Sequence, residues 1–291
     1  MADVAPVNTS SLDVLLEHLE LDQTEAGFRG PVPQFGWRRI FGGLVVAQAL
    51  RAAINTVEAD RPVHSLHAYF MRPGDPTLSI DYAVNKLRDG RSFSTRHVTA
   101  LQNDRPILIL SASFQVGEDG FEHQMAAIDV PDPDALPSEA DLLSSYREKL
   151  PLAVRTFFER PRPIEIRPTD FSHYFSSDAV PPRQAMWLRA RSRLLDDAVI
   201  HQTVLAYASD MTILDAALIP HGKSVFSPDL QVASLDHAVW FHKSTRFDDW
   251  HLYVQDSPRS SGARGMTRGL IYDRSGVLVA SVAQEGLIRQ R

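Results

Sequence analysis

The chain has no cysteine among its 291 residues, which excludes disulfides, thiolate nucleophiles and cysteine-bound metals together. It has no uncharged apolar run near the ~18 residues that a membrane-spanning helix requires. The opening MADVAPVNTSSLDVLLEHLEL lacks a basic segment followed by an apolar one, so no signal peptide is expected. The ending, Ile288-Arg289-Gln290-Arg291, is not a peroxisomal tail, which leaves the cytoplasm as the expected compartment. Basic charge is in deficit, with 30 Lys and Arg against 36 Asp and Glu, and that balance argues against a nucleic-acid partner. No G-x-S-x-G elbow, H-E-x-x-H pair, P-loop or dinucleotide glycine motif is present, so no metal site is expected.

What is present suits an ordinary globular protein. Hydrophobic residues make up 44% of the chain, enough for sizeable cores in about two domains of ~150 residues each. Residues 10–21 read as a short amphipathic helix, and Phe41-Gly42-Gly43-Leu44 opens an apolar helix reaching about Thr56. Strands are expected at 63–70, 78–86, 93–102 and 106–116, separated by turn signals at Pro73-Gly74-Asp75, Asp89-Gly90 and Asn103-Asp104. The stretch from about 118 to 151 is acidic and proline-bearing, a connecting segment with a helix at 139–149. Strands at 164–166 and 184–191 follow, then a long helix through 201–220, then strands at 231–241, 250–257, 263–272 and 277–288.

The second half echoes the first. His67-Ala68-Tyr69-Phe70 matches His237-Ala238-Val239-Trp240 at an offset of 170, and Thr95-Arg96 matches Thr267-Arg268 at 172. Helix followed by strands recurs in the same order, so the chain reads as a duplicated module of class α+β. Each copy is expected to wrap an antiparallel sheet on a helix, with the two sheets side by side. The division is residues 1–120, a linker 121–155, and 156–291.

One residue breaks the oily stripe of the long second-half helix. Asp210 has Ala206, Tyr207, Ile213 and Leu214 at helical spacing, none able to neutralise a carboxylate. Held there, its pKa rises, as a general base requires; alternatively it lies at the stripe's edge and reaches water. Gln284 alternates with Leu278, Ala280 and Val282, so its amide faces an apolar row and must find partners, catalytic or structural. Ser234, beside Val232, is uninformative alone. At the 170 offset, Ser234 answers to His64 and Gln284 to Phe114, and the first-half helix at 39–55 has no acidic residue. A polar trio therefore occurs only in the later copy, which implies one reaction centre per chain.

FGGLVVAQAL, HSLHAYFMRPGD, LRDGRSFSTR and ASFQ, with AYASDMTIL, IPHG, SLDHAVWFH, SGARG and GVLVASVAQEG, resemble the acyl-CoA thioesterase II family across nearly the whole chain. The resemblance implies a double hotdog fold and hydrolysis of fatty acyl-CoA thioesters, with coenzyme A as part of the substrate and no separate cofactor. It also implies a catalytic set of Asp, Thr or Ser, and Gln, which falls here on Asp210, Ser234 and Gln284. By analogy it implies a homo-oligomer, a dimer or larger.

Other candidates carry two readings each. Gly42 and Gly43 open a helix, where backbone N–H groups could hold an oxyanion or where small residues simply allow close packing. Arg88, Arg91 and Arg96, with Arg264 and Arg268, could meet coenzyme A phosphates or be solvated turn charges. His64 is a second candidate base or a satisfied core histidine. A rival activity on the same fold, enoyl-CoA hydration, would use Asp196 and His201, although Ala198-Val199 stands where that family has Asn-Pro; a third reading is acyl-CoA binding without turnover.

Overall fold

The computed structural model describes residues 10–33 and 39–291; the Gln34-Phe35-Gly36-Trp37 part of the turn-rich segment, and residues 1–9, lie outside them. In the first half, α1 (Ser11–Leu19) precedes β1 (Asp22–Thr24), β2 (Gly27–Gly30), α2 (Gly42–Ile54), β3 (Val63–Phe70), β4 (Ile80–Asp89), β5 (Phe93–Gln102) and β6 (Arg105–Gln115). Two connecting helices follow, α3 (Glu139–Tyr146) and α4 (Leu152–Glu159). The second half has β7 (Ile164–Pro168), β8 (Arg183–Ala190), α5 (Ala198–Ser209), β9 (Leu230–Ser234), β10 (Asp236–Phe241), β11 (His251–Ser261), β12 (Arg264–Asp273) and β13 (Leu278–Gln290).

Among the described residues all thirteen strands form one antiparallel sheet, in the order β1-β2-β4-β5-β6-β3-β10-β13-β12-β11-β8-β7, with β9 also on β13. The two halves join edge to edge through β3 and β10, so neither sheet leaves a free edge at the centre. This is a double hotdog. Helix α2 reads GGLVVAQALRAAI and is buried on almost every side, because it lies between the sheet and α5 and has no solvent face to fill with charge. Its one internal polar side chain, Gln48, is satisfied by Tyr82 Oη at 2.6 Å and by the carbonyls of His18 and Pro31 at 2.6 and 2.8 Å. One stretch, Ala198–His221, is long and apolar enough by length and composition to cross a membrane, and most of it is buried within the fold.

On β3 and β10 the copies correspond at an offset one residue longer than the HAYF/HAVW match suggests, and on β6 and β13 at an offset two residues longer. His67 is exposed whereas His237 is fully buried, so an offset of 170 puts them on opposite faces of the sheet. At 171, exposed Tyr69 meets exposed Trp240, Phe70 meets Phe241, and a bulge recurs between Val63 and Ser65 and between Ser234 and Asp236. Strand pairing then carries the match outward. Leu66 pairs with Ala112, and His237, one step before the Ala238–Ala283 pair, lies opposite Gln284. The counterparts of Ser234, His237 and Gln284 are therefore Val63, Leu66 and Ala112, not His64 and Phe114.

The long second-half helix also ends early. After Ser209 the chain turns through Thr212, which has φ 63, and continues as 3-10 turns at Ile213–Ala217 and Ile219–His221. A left-handed β-branched residue costs on the order of 1–3 kcal/mol and persists only where its surroundings hold it. Here Gln184 Nε2 donates to Thr212 O at 2.9 Å, and Gln255 Nε2 donates to its Oγ1 at 3.0 Å. The break makes Asp210 the C-cap of α5, so Ile213 and Leu214 are not its helical neighbours. The expected 231–241 strand is likewise split at Leu235, and Leu278 lies on the sheet's other face beyond a bulge near Ile271. The acidic linker is tied to that outer face, with Trp187 Nε1 donating to Pro131 O at 3.0 Å and Arg274 paired to Asp132 and Asp134.

Candidate active site

Three elements of the second half and one of the first converge on Asp210. It caps α5, Ser234 ends β9, Gln284 sits on the inner face of β13, and the N-terminus of α2 packs against the cap. Gln284 Nε2 donates to Ser234 Oγ at 2.9 Å, and the same amide and the Gly43 N–H are the neighbouring donors that favour the ionised Asp210 carboxylate. Asp210 Oδ1 is buried and has no hydrogen-bond partner among the described residues. Burial with no cation beside it pushes the Asp210 carboxyl up to about 7, against the smaller opposing pull of the Gln284 and Gly43 donors. A buried carboxylate with one oxygen unpartnered and a pKa near neutrality is equipped to take a proton from a water that reaches it.

The glycines answer their own question. A Cβ on Gly43 would stand 2.4 Å from Tyr207 O, and one on Gly42 would stand 2.8 Å from Asp210 Oδ2. They are there so that α2 can approach α5, and the Gly43 N–H is spent on Asp210 rather than held open for an oxyanion.

The remaining candidates lie elsewhere. His64 Nε2 bonds Ser113 Oγ at 2.8 Å and its ring meets Phe93, both in the first-half sheet, so it is not brought to the trio. Arg96 is buried and engaged by Asp89, Thr56, Arg88 and Thr95, which removes it as a phosphate ligand. Arg88 and Arg91 are exposed, while Arg264 and Arg268 are paired with Glu285 and Asp256. Asp196 and His201 line one cleft but are not hydrogen-bonded to each other among the described residues. Asp196 is 94% exposed on Arg246, and His201 is buried with Nδ1 accepting from Phe247 N–H at 3.0 Å. The helix N-cap is Asp197, not Asp196. His201 lines a cleft of about 750 Å³ with Thr245, Arg246 and His251, at the opposite end of α5 from Asp210. Among the described residues no group of three or more His, Asp or Glu side chains is placed to hold a metal ion.

Two residues of the cluster escaped the sequence reading. His237 is fully buried against Gln284 Oε1, and Ser209 Oγ lies 2.8 Å from His237 Nε2. The signal for His237 was available in the one-residue shift that aligns Tyr69-Phe70 with Trp240-Phe241; Ser209, on α5, had none.

Two family profiles match: one described as acyl-CoA thioesterase over residues 153–287, and one described as acyl-CoA thioesterase N-terminal domain over residues 28–115. Acyl-CoA thioesterase 2 of Haemophilus influenzae is 39% identical over 279 residues, spanning 96% of this chain and 98% of that protein. The chain belongs to the acyl-CoA thioesterase II family. Human acyl-coenzyme A thioesterase 8 is 40% identical, over 90% of this chain and 84% of its own. Among solved structures, the family member TesB2 of Mycobacterium marinum, an acyl-CoA thioesterase II, has a TM-score of 0.78 at 38% identity, covering 95% and 98% of the two chains.

Proposed function

We propose that this chain hydrolyses fatty acyl-CoA thioesters to free fatty acid and coenzyme A, with Asp210 as general base and Gln284 and Ser234 as the groups that hold water and substrate. The observation that carries the reading is the continuous contact from Asp210 through Gln284 to Ser234, with Asp210 Oδ1 unpartnered. Oδ1 removes a proton from water as the water oxygen attacks the thioester carbonyl carbon. Ser234 Oγ accepts from Gln284, so its own hydroxyl proton is free for the carbonyl oxygen as that oxygen becomes negative. The C–S bond then breaks, and the proton held by Asp210 returns to the departing thiolate. General base catalysis contributes about 10²–10⁴-fold, and a thioester is already activated toward attack, so this modest apparatus suffices.

The test follows thiol release from acyl-CoAs of graded length, alongside loss of the double bond of an enoyl-CoA. Asp210→Asn is expected to lower thiol release by at least about a hundredfold. Full thiol release in Asp210→Asn would refute the reading. Enoyl consumption lost in Asp196→Asn or His201→Ala would give the site to hydration, and substrate binding without either product would make the chain a binder.

A further inference from the structure

The polar chain behind Asp210 continues beyond the trio, to His237 and Ser209, which the reaction above does not use. His237 lies on the inner face of β10 with no exposed surface. Burial pushes its imidazole down to about 4, so near neutrality it is uncharged and carries one ring proton. Its Nδ1 faces Gln284 Oε1, and its Nε2 lies 2.8 Å from Ser209 Oγ. An amide oxygen only accepts, so the proton sits on Nδ1 and donates to Gln284; Nε2 then accepts from the Ser209 hydroxyl, whose single proton is shared with Ala206 O at 2.9 Å. Tyr253 Oη fixes the other end by donating to Ser209 O at 2.7 Å.

The direction of these bonds matters because an amide is nearly symmetric in shape and opposite in chemistry at its two ends. With Oε1 on the imidazole, the NH₂ group of Gln284 donates to Ser234 Oγ and turns toward the Asp210 carboxylate, which it stabilises. Turned over, the amide would set its oxygen against the carboxylate and draw Ser234 into donating, which removes the hydroxyl proton from the reacting carbonyl. Thr267 Oγ1 donates to the main-chain carbonyl of Gln284 at 2.9 Å, which anchors the strand without choosing an amide orientation.

We propose that His237 is a positioning residue, whose Nδ1–H selects the orientation of the Gln284 amide that presents N–H groups to Asp210 and Ser234. The proposal rests on the thioesterase reading of the same site. The first copy of the module has Leu66 where the second has His237, Val63 for Ser234 and Ala112 for Gln284. Where no amide needs orienting, no imidazole is buried. Burying a neutral imidazole in a position that accommodates leucine carries a desolvation cost, which the Gln284 contact accounts for.

The same comparison supplies a substitution that the fold tolerates. Steady-state thiol release and unfolding temperature are measured for His237→Leu, His237→Asn, Gln284→Ala and the double variant His237→Leu/Gln284→Ala. His237→Leu and Gln284→Ala are each expected to lower kcat roughly 10- to 100-fold with little change in KM, the double variant to be no worse than Gln284→Ala alone, and His237→Asn, which restores an N–H donor, to regain most of the rate. Undiminished kcat in His237→Leu beside a loss in Gln284→Ala overturns the positioning role and leaves the reaction intact, as do losses that multiply in the double variant. Undiminished kcat in Gln284→Ala overturns the site and the proposal together. Independent of folding in any variant, ¹⁵N chemical shifts of selectively labelled histidine in the wild-type protein should show His237 protonated at Nδ1; protonation at Nε2 overturns the proposal.

Discussion

Replacing Asp210 by asparagine should make the protein more stable while disabling it, and the gain should depend on pH in a particular way. The Asp210 carboxyl ionises near 3.8 when exposed and at about 7 when buried in the fold. Between those values the folded chain holds a proton that the unfolded chain has released, so stability falls as pH rises through the window and levels off above about 7. One pKa unit is ~1.36 kcal/mol, so the full cost of ionising Asp210 in the fold is up to about 4 kcal/mol, and about 3 of that develops between pH 5 and pH 8. Asparagine keeps the shape and avoids this cost. It also turns an amide toward the Gln284 amide, and a mismatched buried pair costs about 1–3 kcal/mol at every pH. The absolute difference between the two proteins is thus modest, but its change with pH is not. Urea unfolding of wild type and Asp210→Asn at pH 5, 6, 7 and 8 isolates that change, since other titrating groups, the buried Asp215 included, are common to both. The variant should gain about 3 kcal/mol on wild type across that range. A difference that stays constant with pH would show that Asp210 is ionised throughout, and with it would fall the account of why this carboxylate works near neutrality.

Three further outcomes follow from the same geometry. Thiol release by the wild-type protein should rise with pH through about 7, losing nearly tenfold per unit below it, because only ionised Asp210 accepts the proton; a flat profile from pH 5 to 8 contradicts the assignment. Gly43→Ala sets a Cβ 2.4 Å from Tyr207 O, and since both atoms belong to rigid helices they must part, costing about 1–3 kcal/mol by urea unfolding and most of the activity. An unchanged midpoint would show that α2 and α5 are not in the contact described. Glu139, buried between Arg162 and Arg191, bonds none of Asp210, Ser234 and Gln284; Glu139→Gln should cost about 3–5 kcal/mol in stability with kcat retained, and a stable variant would mean those guanidiniums find other partners.

Much of this architecture is legible in the sequence because it rests on local signals. The limits of β3 and β5 coincide with turn residues, and α2 announces itself by a glycine pair and an apolar run interrupted only by Gln48 and Arg51. Asp210 stands out because nothing near it in sequence could pay for its charge. What stays hidden depends on contacts between distant segments. The end of α5 has neither glycine nor proline to mark it, and Thr212 turns left-handed only because Gln184 and Gln255 hold it there. Strands β1 and β2 are three and four residues long, too short for an alternation to show. Helix α4 begins at Leu152, just after Pro151, inside a stretch whose prolines and acids read as linker. The repeat offset misled by one residue because His67 and His237 are identical in letter and opposite in orientation, and that single slip concealed His237 as a neighbour of Gln284.

The corrected register explains why a duplicated chain has one centre and not two. The counterpart of Asp210, as the cap of the equivalent helix, is Asn55, and the strand positions that would serve it are Val63, Leu66 and Ala112. The position matching Thr267 is Arg96, which pairs with Ala112 just as Thr267 pairs with Gln284. Its guanidinium reaches back to the end of α2, donating to Thr56 Oγ1 at 2.8 Å and Thr56 O at 2.9 Å, and is held by Asp89 at 2.6 Å. A cation there bonds the Thr56 carbonyl just past the helix's C-cap and would hold any neighbouring aspartate ionised at low pKa, the opposite of what a base working near neutrality requires. The two ends of the paired helices therefore divide the requirements of the fold. One is closed by a well-bonded arginine and apolar packing, and the other keeps a carboxylate with a free oxygen that only a set of neutral donors surrounds.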